Sequence, residues 1–115
     1  MKPAPILPEV IRLRDTRGER PENAAGIGEF WYEPEVWALP LSSDARVLYA
    51  GLCSFLGHRE INRKDLRNTL IGSSDEEILG ALEELVGNNL LSPELAGFAV
   101  RSITAYKPDG GPEAP

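Results

Sequence analysis

The sequence predicts a mainly α-helical domain with a small β-hairpin, and three observations carry that prediction. Residues 62–91 hold a short basic helical segment, a glycine and a longer acidic helical segment. A further helical pattern precedes them from Leu41 to Gly57, and two short extended runs follow. A chain of 115 residues is large enough for one modest core.

From Val10 to Arg14 the sequence alternates, with Ile11 and Leu13 set between Arg12 and Arg14. That is the period of a short strand with one buried face. Met1 to Pro8 carries three prolines and is expected to be extended. Thr16 to Gly28 mixes Gly, Pro, Asn and charges without an apolar period, as a surface loop or linker does. Residues 1–28 therefore read as an N-terminal arm and linker, 29–106 as the folded domain and 107–115, with Gly110, Gly111 and three prolines, as a disordered tail.

Phe30, Trp31 and Tyr32 lead into Pro34, which suits the first turn of a short helix through Val36, Trp37 and Leu39. The neighbours Glu29, Glu33 and Glu35 argue against a base-stacking platform, which needs interleaved cations. Trp31 and Trp37 are therefore expected to fill the core or a subunit contact.

Ser42 or Ser43 can cap the first long helix, with Asp44 near its positive end. Ala45, Leu48, Tyr49, Leu52 and Leu56 share its inner face. The opposite side carries Val47, Ala50, Gly51 and Ser54, and no charge occurs from Val47 to Gly57. A helix without a charged side is expected to be covered on both sides, by the N-terminal arm or by a second subunit, and these small residues allow close approach. Asn62 and Asp65 cap the next helix, which runs from Arg63 to about Leu70 and exposes Arg63, Lys64, Arg67 and Asn68. Gly72 supplies a turn, and Ser74 with Glu77 opens a third helix from Asp75 to about Gly87. Its apolar stripe is Ile78, Leu79, Leu82, Leu85 and Val86, and Glu76, Glu77, Glu83 and Glu84 face outward. Leu90 and Leu91 begin an extended run, Ser92 to Gly97 reads as a turn, and Phe98 to Ile103 returns as a strand.

Helix, link, helix, tight turn, helix and hairpin follow one another as in a winged helix-turn-helix, a three-helix core plus wing, here with an N-terminal extension. LSSDARVLYAGLCSFLG, then a basic short helix, then SSDEEILGALEELVGNNLL, resembles the N-terminal winged-helix domain of bacterial DnaD-like primosome proteins and plasmid replication initiators. Several helix-turn-helix transcription regulators look similar. The resemblance covers about Phe30 to Ile103. It implies replication-related DNA binding and self-association through this domain; the second, DNA-binding domain of DnaD has no counterpart in the 115 residues.

Charge qualifies that implication. The formal net charge is −6, yet Arg46 to Arg67 holds five basic and two acidic residues, while Ser73 to Glu94 holds six acidic and no basic ones. A carboxylate beside a phosphate costs on the order of 1 kcal/mol at about 4 Å even in water. The third helix is thus a poor groove reader. Contact with double-stranded DNA is expected instead through Arg59, Arg63, Lys64, Arg67, Asn68 and Arg101, aided by Arg12, Arg14, Arg17 and Arg20. The alternative is a protein-binding adaptor or homodimer using Trp31, Trp37, Val47, Ala50, Gly51, Ser54, Glu76, Glu77, Glu83 and Glu84. One Cys53 and one His58 make neither a disulfide nor a zinc set, so no metal or cofactor is expected. No nucleophile and base pair or phosphate-cradling loop suggests an enzyme. Without an apolar run of about 20 residues or a signal peptide, a cytoplasmic protein is expected.

Overall fold

The computed structural model describes residues 7–28 and 30–108. Residues 1–6 of the proline-rich start and 109–115 of the expected tail lie outside the described residues. Nine elements organise the described residues: β1 (Val10–Asp15), β2 (Ala25–Ile27), β3 (Phe30–Tyr32), α1 (Ser43–Phe55), β4 (Glu60–Asn62), α2 (Arg63–Thr69), α3 (Asp75–Gly87), β5 (Leu91–Glu94) and β6 (Gly97–Val100). Short 3₁₀ turns occupy Pro34–Ala38, Leu56–His58 and Ile103–Ala105.

The three helices begin where their caps dictate. Ser42 accepts from the Ala45 amide at the start of α1. Asn62 with Asp65, and Ser74 with Glu77, form reciprocal capping boxes at α2 and α3. Gly72, at φ 91°, makes the turn between those two helices.

The expected mainly helical winged helix-turn-helix with an N-terminal extension is corrected by the sheet. Among the described residues the molecule is an α/β fold, 45% helical and 23% strand, with a four-stranded mixed sheet and a separate two-stranded one. The large sheet has the order β4-β1-β6-β5. β1, the short strand read in the N-terminal arm, lies inside the sheet, antiparallel to β4 and parallel to β6. Its alternation supplies the reason, since Ile11 and Leu13 are buried in the same core as Leu48, Leu52, Ile78 and Leu85. A period of two reveals which face is buried but not which strands lie on either side. β6 approaches β1 so closely that a Cβ on Gly97 would lie 1.9 Å from the Arg12 carbonyl oxygen, which explains the glycine.

Three local expectations also shift. Thr16 to Gly28 is not all loop: β2 pairs with β3, placing Ala25 opposite Tyr32 and Ile27 opposite Phe30. The hairpin turn is narrower than Ser92 to Gly97, because Ser92 and Pro93 belong to β5, paired with Ala99 and Phe98. β5 is an edge strand, where a proline's missing N–H is tolerated. Ile103, expected in the returning strand, begins a 3₁₀ turn.

Candidate functional site

Of the cations expected to meet DNA, those on α2 are largely engaged within the molecule. Arg63 Nε donates to the Leu7 carbonyl at 2.9 Å and ties the start of the described chain to α2. Arg67 makes a two-pronged pair with Asp75, at 2.9 and 2.6 Å, linking α2 to the first turn of α3. That bond holds the Asp75 carboxyl below its ordinary value and raises the guanidinium. Lys64 and Asn68 remain exposed on α2. Arg101 is half-buried: the Tyr49 hydroxyl donates to its carbonyl, and its Nε has no partner among the described residues.

A second group of cations is better gathered. β1 turns Ile11 and Leu13 inward and leaves Arg12 and Arg14 exposed. Arg59 follows the Leu56–His58 turn in a left-handed conformation, φ 65°, and its carbonyl accepts from the Leu13 amide at 2.8 Å. Arg12, Arg14 and Arg59 together line one open hollow of about 410 Å³, with Leu95, Gly97 and Glu94 on its other wall. Glu94 holds Arg14 in a two-pronged pair, which raises the arginine and lowers the glutamate. Arg12 and Arg59 make no ion pair among the described residues. Because α1 and α3 pack on the Ile11 and Leu13 side, this hollow lies on the face of β1 away from acidic α3.

The residues expected at a protein contact divide similarly. Glu77 caps its own helix, accepting from the Ser74 amide at 2.7 Å. Glu84 accepts from the Ser42 amide and hydroxyl at 2.8 and 2.6 Å, so it closes the N-terminus of α1. Glu76 and Glu83 stay exposed. Ala50 is buried, Ser54 donates to the Ala50 carbonyl at 3.0 Å, and a Cβ on Gly51 would sit 2.6 Å from Thr69 Cγ2. The uncharged side of α1 is thus covered in part by α2, while Val47 is exposed. Trp31 is 6% exposed and interior; Trp37 is 44% exposed and meets Tyr32 edge-on, with centroids 5.9 Å apart.

One interior cluster had no signal in the sequence. Arg17, in what reads as a charged loop, is buried with its guanidinium 3.6 Å from the Trp31 ring centroid. It also pairs with Asp15 at 3.0 Å and donates to the Trp31 carbonyl. Burial pulls the guanidinium down, but the Asp15 bond and charge outweigh it and raise the group. Glu33, nearly buried, accepts from the Ser102 hydroxyl at 3.0 Å and the Ile103 amide at 3.2 Å. Arg17 thus ties the end of β1 to β3, and Glu33, directly after β3, ties that strand to Ser102 and Ile103.

Cys53 is fully buried and burial pushes its thiol up to about 12, so it is a packed side chain. Among the described residues no group of three or more His, Cys, Asp or Glu could hold a metal ion. No described helix is long and apolar enough to cross a membrane. Comparison with protein-family models, with curated proteins and with solved structures finds no match for the chain.

Proposed function

We propose that this protein is a cytoplasmic, non-enzymatic binding module that associates with double-stranded DNA in replication or transcription regulation. The observation that carries the reading is the convergence of Arg12, Arg14 and Arg59 on one hollow, on the face of β1 away from α3. Guanidinium groups bind phosphates through paired N–H donors, and two of these three have no competing carboxylate partner among the described residues. Acidic α3 faces elsewhere, so repulsion from its four glutamates is reduced by distance and screening.

The test is the salt dependence of binding to a fluorescein-labelled duplex of about 20 base pairs. Three phosphate contacts give a slope of log K against log salt near −2.7 at about 0.9 per contact. Arg12→Gln with Arg59→Gln removes about two-thirds of that slope, whereas Arg67→Gln leaves it nearly unchanged. A wild-type protein that shows no salt-dependent affinity for the duplex refutes the reading.

A further inference from the structure

Beyond Phe98, which also borders the arginine hollow, the hairpin and α3 carry a different surface. Leu79, Leu82 and Val86 of α3, with Pro93 and Phe98 of the hairpin, form a groove of about 470 Å³ whose lining is almost wholly apolar. A neighbouring hollow shares Pro93 and Phe98 and continues past Val10, which is exposed. Leu79, Val86 and Phe98 are only partly buried although they border the core. Glu83 lines the groove, Glu94 lines the neighbouring hollow while paired with Arg14, and no Lys or Arg lines either hollow.

We propose that this groove receives an amphipathic helix of a partner protein, with leucine-like side chains on the seam and Lys or Arg on its flanks. Charge complementarity selects the flanks, because the charged side chain lining the groove is the exposed carboxylate of Glu83 and no Lys or Arg lines it. Side-chain lining selects a helix over an added strand. An added strand would have to pair along the edge strand β5, where Pro93 removes one donor. The floor from Leu79 to Val86 spans about 10 Å of α3, which accepts two turns of a partner helix. Gly80 lies between Glu76 and Glu83 on the helix surface and has open space where a side chain would stand, so a partner can approach closely there. A second copy of this chain is a poor occupant through α3 itself, since the same glutamates would meet across the contact.

The full chain is titrated, by fluorescence anisotropy, into labelled peptides of about 15 residues built on a 3.6-residue repeat. One peptide carries Leu on the seam and Lys elsewhere, a second replaces Lys by Glu, and a third replaces Leu by Ala. The Lys/Leu peptide binds at least about tenfold more tightly than either control. Glu83→Lys, at an exposed position, and Leu79→Gln, in the floor, each weaken it several-fold, while Arg59→Gln does not. Equal binding of the Lys/Ala peptide reduces the contact to surface charge and overturns the proposal, as does binding indifferent to both groove variants. Concentration-dependent dimerisation abolished by Leu79→Gln assigns the groove to a second copy and overturns it too. None of these outcomes depends on DNA affinity.

Discussion

At the scale of single residues, what decides each arginine's availability is its partner, which a sequence does not display. Arg67 faces Asp75 across eight residues and Arg14 faces Glu94 across eighty. The short-range pair was within reach of helix-end reasoning; the long-range one required the sheet. Both carboxylates are held below their ordinary values by hydrogen bonds from their arginines, 3.8 being ordinary for Asp75 and 4.5 for Glu94. A depressed carboxylate contributes stability that is present above its unfolded value and is lost as pH falls through the folded one. Asp75→Asn is therefore less stable than wild type near neutral pH, and the difference closes below about pH 4 in urea titrations. The pair is exposed, so the difference is small and shrinks with added salt. Cys53 gives a sharper readout. With its thiol raised to about 12 by burial, alkylation by iodoacetamide near neutral pH proceeds only as fast as the molecule opens. Immediate labelling of the native protein would contradict the buried position.

At the scale of elements, the helices were legible because their signals are local. Asn62 with Asp65, and Ser74 with Glu77, lie three residues apart, and each box forms as spacing predicts. The uncharged side of α1 was legible as a face needing cover, but its cover was not. Gly51 lies against Thr69, whose hydroxyl is held by the Asp65 carbonyl at 2.8 Å, so its methyl has little freedom to retreat. Gly51→Ala gains helix propensity and meets that methyl. Its cost is therefore relieved in a Thr69→Ser background, with a coupling of about 1 kcal/mol in a double-mutant cycle by urea unfolding. Additive effects would mean that the two helices do not touch there. Elsewhere, Pro93 suggested a turn and lies instead on an edge strand, a position that composition does not distinguish.

At the scale of the whole molecule, the error in fold class has one source. Val10–Asp15 was readable as a strand, yet its place between β4 and β6 depends on pairing with residues about 50 and 85 positions away. Once it is inside, Arg12 and Arg14 become part of a rigid face rather than an arm, and Arg59 joins them through the Leu13 amide. Arg12 and Arg14 alternate with Ile11 and Leu13, which pack in the core with α3, and the apolar groove adjoins the arginine hollow at Phe98. The chain thus presents two surfaces of opposite character, although its net charge of −6 suggests only repulsion from polyanions.

The most direct measurement of this arrangement is an amide-resolved NMR titration of the protein with a short duplex at low salt. The account predicts shifts concentrated at Arg12, Arg14 and Arg59 and their neighbours in β1 and the turn before β4, with 76–84 unmoved. Shifts concentrated along α3, or none anywhere at saturating duplex, would contradict it.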